Sequence, residues 1–135
     1  MGAVPRGRAM ARILVVDTSA TSRVMVIKTL EEHGHRVEEI SSGKEALEIC
    51  MTAPPDCVIM ELVLQDVDGF KVLHKVRDKG LKIPILVLTD IRMHSVMERC
   101  LELGATAFLR KPVSPIALTK KLTEILGTKK SGEQT

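Results

Sequence analysis

The chain has 135 residues, which fits one domain and is too short for two ordinary ones. It contains no Trp or Tyr and two Phe residues, Phe70 and Phe108, so it lacks the aromatic platforms on which proteins stack single-stranded nucleic acid. The formal net charge of +3 comes from the two ends, and the neutral body that remains predicts no nucleic-acid partner. No apolar run approaches the roughly 20 residues of a membrane helix, and we expect no membrane association.

Three cysteines, Cys50, Cys57 and Cys100, are odd in number and form no CxxC pair. This pattern predicts free thiols in a reducing compartment, and therefore a cytoplasmic protein without a disulfide or structural metal. Residues 1–10 lack the apolar segment of a secretory signal and are predicted to be a disordered leader or tag. Residues 11–127 are predicted to form the domain, and residues 128–135 a polar tail.

Short apolar or β-branched runs alternate with amphipathic stretches along the domain. The runs predict five strands, at residues 13–16, 35–40, 57–60, 83–88 and 107–109. Five helices are predicted between and after them, ending at Gly34, Pro54, Gly80, Gly104 and Gly127. This alternation predicts an α/β fold, a doubly wound five-stranded parallel sheet of flavodoxin-like (βα)5 type.

In such a sheet the functional site lies beyond the carboxyl ends of the strands, where the strand order reverses. The residues that end the apolar strands are Asp17, Glu61, Thr89 and Lys111. Two carboxylates, one hydroxyl and one ammonium at one edge suit phosphoryl chemistry, because carboxylates hold Mg²⁺ while the hydroxyl and the ammonium hold phosphoryl oxygens.

The ordered set of these signatures resembles a response-regulator receiver domain, of the single-domain chemotaxis and twitching-motility type, over residues 11–127. The segments that carry the resemblance are Ile13-Leu14-Val15-Val16-Asp17, Glu61 through Asp68-Gly69, Leu88-Thr89, Gly104-Ala105 and Lys111-Pro112. The resemblance implies that Glu61 stands at the phosphoacceptor position and that the Lys111-Pro112 bond is cis.

The chain departs from the family pattern at the expected site itself. Thr18 stands where the family has a second acid that binds Mg²⁺, Glu61 replaces the acceptor aspartate, and Asp90 replaces a small residue after Thr89. Since phosphoryl transfer depends on positioning at the ångström level, we expect no catalytic residue and no stable phosphorylation. Mg²⁺ at Asp17 and Glu61 is expected to bind weakly if at all. Asp90 would repel a phosphoryl group or serve as a cation ligand, depending on its orientation.

Two interpretations follow from these departures. The first is an atypical receiver, a non-enzymatic protein-interaction module that works without phosphorylation because the longer arm of Glu61 approaches Thr89 and Lys111. The alternative is a phospho-accepting, Mg²⁺-dependent receiver, with Asp66 or Asp68 as unusual acceptors, and it could be the N-terminal part of a longer regulator.

The resemblance also implies an output surface and its partners. The partner is expected to be a histidine kinase, a motility or regulatory protein, or a second copy of the chain. The expected surface is formed by the fourth helix, fifth strand and last helix, with Phe108 as an aromatic switch residue and Lys120 on its exposed face.

Overall fold

The structure is a computed structural model that describes residues 11–134, with side chains described for residues 11–127. The predicted leader, residues 1–10, lies outside the described residues. Within them, no helix is both long enough and apolar enough to cross a membrane.

Five parallel strands form one sheet, as predicted from the alternating pattern. They are β1 (Arg12–Val16), β2 (Arg36–Ile40), β3 (Cys57–Met60), β4 (Ile85–Thr89) and β5 (Ala107–Arg110). Their order is β2-β1-β3-β4-β5, so the direction of winding reverses between β1 and β3. The register pairs Val16 with Met60, which sets the residues after these two strands side by side. The flavodoxin-like doubly wound fold is thereby confirmed.

The fourth strand begins later than the sequence predicts. Ile83 and Pro84 precede the strand, which extends instead to Thr89. Proline has no N–H to donate to a ladder, whereas its carbonyl accepts a 2.9 Å bond from the amide of Val58. Thr89 is therefore the last residue of the strand, and its side chain is fully buried.

Five helices cover the two faces of the sheet. They are α1 (Ala20–Glu32), α2 (Gly43–Thr52), α3 (Gly69–Asp78), α4 (His94–Glu102) and α5 (Pro115–Gln134). The side chains of Ser19, Ser42 and Asp68 cap the first three helices, which satisfies amide groups that have no partner inside the helix.

The end predicted for the last helix is wrong, because α5 continues through Gly127 to Gln134. A glycine ends a helix when it adopts a positive φ. Gly34, Gly80 and Gly104 do so, and Gly127 does not. The described backbone of residues 128–134 is therefore helical.

Alternating strand residues build two apolar cores, one on each side of the sheet. Leu14, Val16 and Met60 face the core beneath α2, α3 and α4, whereas Val15 and Ile59 face the core beneath α1 and α5. Cys50, Cys57 and Cys100 are free and buried, which confirms the prediction of unpaired thiols. The polar strand ends are held between these two rigid cores.

Candidate functional site

The carboxylates of Asp17 and Glu61 meet at the reversal point of the sheet. The amide of Glu61 donates a 2.9 Å hydrogen bond to the carbonyl of Val16, and the amide of Asp17 donates a 3.1 Å bond to the carbonyl of Ile40. These continuations of the ladder fix both residues just beyond their strands. Both are buried, at 4% and 6% exposure for Asp17 and Glu61.

The ammonium group of Lys111 lies between the two carboxylates. Its Nζ is 2.8 Å from Oδ2 of Asp17 and 2.9 Å from Oε1 of Glu61. The lysine side chain is 16% exposed, so the three groups form a nearly buried triad with two negative charges and one positive charge. The Lys111-Pro112 bond that follows is cis, as the resemblance implies.

Backbone amides hold the other carboxylate oxygens. Oδ1 of Asp17 accepts a 2.8 Å hydrogen bond from the amide of Ser19. Oε2 of Glu61 accepts a 2.7 Å bond from the amide of Leu62 and a longer one, 3.4 Å, from that of Val63. Each of the four oxygens therefore has a partner within the chain.

The triad raises the pKa of Lys111. Burial of the side chain disfavours its charged form, but hydrogen bonds and opposite charges from Asp17 and Glu61 outweigh this effect, so the pKa lies above the ordinary value. The ammonium consequently stays charged at neutral pH and holds both carboxylates.

Thr89 is buried at the same edge but is not joined to Glu61. Its hydroxyl accepts a 3.4 Å hydrogen bond from the amide of Ile91, and none of the hydrogen bonds of Glu61 reaches it. Of the two contacts predicted for the longer arm of Glu61, the one with Lys111 is made and the one with Thr89 is not. The reason is local, because the amide of Leu62 holds the second oxygen of Glu61 close to its own backbone.

The other two departures from the family pattern lie at the surface. Both Thr18 and Asp90 are exposed, and no ion pair joins Asp90 to Lys111 among the described residues. Neither residue contributes a hydrogen bond to the triad. The structure thus brings together three of the six predicted pocket residues, places Thr89 next to them, and leaves two outside.

Two acidic residues in the loop after β3, Asp66 and Asp68, accept hydrogen bonds from backbone amides at the starts of α2 and α3. Oxygens of Asp66 accept hydrogen bonds from the hydroxyl of Ser42 at 2.7 Å and from the amides of Gly43 and Lys44 at 2.9 and 3.1 Å. Asp68 accepts from the amide of Lys71. Both acids are structural caps, and neither is bonded to the triad.

Gly69 lets this loop close against the site. A Cβ atom at this position would lie 2.8 Å from Cα of Leu62 and 2.9 Å from the carbonyl oxygen of Glu61. Such contacts with backbone cannot be relieved by a side-chain rotation. A glycine is therefore required for the segment after Glu61 to return on itself and start α3.

Arginines add contacts that the sequence analysis did not predict. Arg23 donates from its guanidinium to the main-chain carbonyl of Asp17 and to Glu39. The guanidinium of Arg110 lies 5.6 Å from the ring centre of the half-buried Phe108 and donates to the carbonyl of Arg92. No motif signals these contacts, because they depend on how loops from separate strands approach one another.

Comparison with known proteins identifies the class to which this fold and site belong. The family model of the response regulator receiver domain matches residues 13–123, and the chain belongs to that family. It is 32% identical to the two-component response regulator ORR11 of Oryza sativa over 123 residues, 89% of this chain and 84% of that protein. It is 35% identical to the alkaline phosphatase synthesis transcriptional regulatory protein PhoP of Bacillus subtilis, covering 85% of this chain but 48% of PhoP.

A solved structure supports the same assignment. The chemotaxis response regulator CheY4 of Vibrio cholerae superposes with a TM-score of 0.80 at 34% identity, over 87% of this chain and 99% of that one. The chain is therefore a signalling module of the two-component type, a class that interacts with histidine kinases and other proteins.

The residues present do not fit the Mg²⁺ ion that the family resemblance implies. Hard divalent cations take about six oxygen ligands, whereas the pocket offers two carboxylates, and one oxygen of each already faces the ammonium of Lys111. The described residues contain no group of three or more His, Cys, Asp or Glu that could hold a metal. The positive charge in the site is the ammonium group of Lys111, which lies between Asp17 and Glu61.

Proposed function

We propose that this receiver domain is a phosphorylation-independent, non-enzymatic interaction module in a two-component-like pathway. The observation that carries the proposal is the bridge from Lys111 to both Asp17 and Glu61. The lysine that would stabilise a phosphoryl group is already neutralised by carboxylates of its own chain. With Thr18 in place of a second acid, the pocket also lacks the charge needed to bring a metal to the acceptor.

The alternative, an active receiver with an unusual acceptor, finds little support in the positions of Asp66 and Asp68. Each carboxylate accepts backbone amides at a helix start. Phosphorylation of either would remove a cap, and the acyl phosphate would form away from Lys111. In-line phosphoryl transfer needs charged groups beside the reacting carboxylate. Lys111 pairs with Asp17 and Glu61 instead of Asp66 or Asp68.

The proposed binding surface consists of α4, β5 and α5. Lys120 is exposed on α5, and Leu101 on α4 has an exposed fraction of 45%. Phe108 on β5 is half-buried against the core beneath α2, α3 and α4, and the guanidinium of Arg110 lies 5.6 Å from its ring centre. A cytoplasmic protein partner, or a second copy of the chain, would contact this surface, and Lys111 would connect it with the pocket.

The test is an intact-mass measurement after incubation with acetyl phosphate and Mg²⁺. We expect no phosphoryl adduct, while a receiver with an intact acidic site gains one in parallel. An adduct that maps to residues 57–69 would refute the proposal and support the phospho-accepting alternative.

A further inference from the structure

β2 leaves one edge of the sheet without a neighbouring strand among the described residues. It lies at the end of the order β2-β1-β3-β4-β5. The amide of Arg36 donates a 2.9 Å hydrogen bond to the carbonyl of Ala11, so the main chain of Arg36 faces β1. Because successive residues of a strand direct their main-chain groups to opposite sides, those of Val37 and Glu39 face away from the sheet. Free main-chain groups of this kind are a template for another strand.

We propose that the partner of this edge is a second copy of the chain. Two β2 strands pair antiparallel with Val37 on the two-fold axis, and the two sheets join into one. This edge lies outside the pocket of Asp17, Glu61 and Lys111 and outside the surface of α4, β5 and α5. The inference therefore does not depend on the proposed function.

The charges on β2 are self-complementary about Val37. Arg36 and Glu38 precede and follow it, and both side chains are exposed. They lie on the face of the sheet that carries α2, since Glu38 pairs in register with Leu14, which belongs to that core. In the proposed pairing, Arg36 of each copy lies opposite Glu38 of the other. Opposite charges directly across an antiparallel pair stabilise it, and like charges destabilise it.

The same charges select the register of the pairing. A two-fold axis at Arg36 or at Glu38 also allows main-chain pairing, but it sets arginine against arginine or glutamate against glutamate. An axis at Val37 sets no like charges opposite each other, because the next pair outward joins His35 with Glu39. Charged residues protect many edge strands from pairing, and a single sign of charge on β2 would have that effect. Two signs in this order favour an identical strand and disfavour the shifted registers.

The space beside β2 is open on both faces of the sheet. A groove of about 440 Å³ lies between β2 and α1, and Val24 on its wall is 67% exposed. A second groove, of about 250 Å³, lies on the opposite face beside Arg36 and Glu38. Within its own chain Glu38 approaches Arg12 at 3.9 Å, with the two side chains 54% and 44% exposed, and an exposed pair of this length competes weakly. A second copy can therefore reach both the main chain and the charges of the edge.

The experiment measures the dissociation constant of the dimer by sedimentation equilibrium, for the parent and for charge variants of β2. We expect the parent to form a reversible dimer as its concentration rises from micromolar to millimolar. Arg36→Glu and Glu38→Arg should each raise the dissociation constant about tenfold or more, because each removes two opposite-charge pairs and creates two like-charge pairs. Arg36→Glu combined with Glu38→Arg should restore dimerisation, because opposite charges again face each other.

Lys82→Glu is the matched control, since it changes the net charge as Arg36→Glu does. Lys82 is exposed before β4, and β1 and β3 separate that strand from β2. This variant should dimerise as the parent does. If Lys82→Glu weakens the dimer as much as Arg36→Glu, the effect is one of net charge alone and the inference is wrong. It is also wrong if the parent stays monomeric or if the double variant does not recover.

Hydrogen exchange on the parent tests the main-chain contact without any substitution. The amide of Val37 should become protected as the protein concentration rises, since pairing gives it an acceptor in the second copy. The amide of Arg36 is the internal reference, because its bond to Ala11 forms with or without a partner. A dimer that leaves the exchange of Val37 unchanged uses another surface and contradicts the inference.

Lys120→Glu distinguishes β2 from the surface of α4, β5 and α5. Self-association that responds to Lys120→Glu but not to Arg36→Glu overturns the inference and supports the other surface. A phosphoryl adduct on the parent overturns the proposed function, while sedimentation and hydrogen exchange decide the β2 dimer independently.

Discussion

Substitution Glu61→Gln removes one charge from the triad while keeping the size of the side chain. Opposite unit charges about 3 Å apart attract by about 6 kcal/mol at an effective dielectric constant of about 20, and desolvation of the two groups offsets most of this. Glutamine has one acceptor oxygen, whereas Glu61 uses one oxygen for Lys111 and the other for the amide of Leu62. One buried donor therefore loses its partner, which costs about 1–3 kcal/mol. Because Asp17 still holds Lys111, we expect a net loss of about 2–3 kcal/mol in the free energy of unfolding.

The measurement is urea unfolding at neutral pH, supported by thermal melts in which the midpoint should fall by roughly 6–12 °C. Glu124→Gln is the matched control, because Glu124 pairs with Lys121 at 3.1 Å while its side chain is 52% exposed. An exposed pair of this kind contributes at most about 0.5 kcal/mol. If Glu61→Gln costs no more than Glu124→Gln, the buried triad does not stabilise the fold and the reasoning fails.

The remaining predictions concern the acceptor, the loop and the surface. Incubated with acetyl phosphate, Glu61→Asp alone should show little phosphoryl adduct by intact mass. Adding Thr18→Asp should increase the adduct, because it supplies the second acid of the family pattern. Rapid phosphorylation of Glu61→Asp alone would contradict this prediction. Hydrogen bonds from Ser42, Gly43 and Lys44 lower the pKa of Asp66, so its stabilising effect exists above its ordinary pKa and is lost as the pH falls below it. Asp66→Asn should therefore lower the urea midpoint at neutral pH, and the difference should vanish in acid; a difference independent of pH would contradict the assignment. Lys120→Glu should weaken self-association or partner binding in analytical ultracentrifugation, and unchanged binding would exclude the α5 surface.

The meeting of Asp17, Glu61 and Lys111 could be predicted from the sequence, because it follows from strand order. Each residue ends a buried run, and parallel strands bring their carboxyl ends to one edge. The starts of the first two helices follow from local residue types as well, because Thr18, Ser19, Ser41 and Ser42 are all of the kind that cap helices, and Ser19 and Ser42 are the ones that do so. These features depend on the pattern of the chain and not on the exact path of any loop.

Side-chain directions at the site could not be predicted in this way. The sequence places Glu61 within reach of both Thr89 and Lys111, but competition from the amide of Leu62 decides which contact forms. The exposure of Thr18 and Asp90 likewise depends on how the chain leaves each strand. Such choices turn on single hydrogen bonds, which residue type and spacing do not encode.

Lys111 connects the pocket to the proposed surface through its backbone as well as its side chain. Its carbonyl accepts a 3.2 Å hydrogen bond from the guanidinium of Arg92, whose own carbonyl accepts from Arg110, the residue that covers Phe108. Loss of the charge of Glu61 removes one of the two partners of the ammonium, which Asp17 still holds, and it leaves these main-chain contacts unbroken. A pocket substitution therefore alters the surface only if the backbone at Lys111 moves with its side chain. Glu61→Gln distinguishes a rigid backbone at Lys111 from one that moves. If the backbone stays in place, the substitution lowers the free energy of unfolding and leaves association unchanged. If the backbone moves, association changes as well.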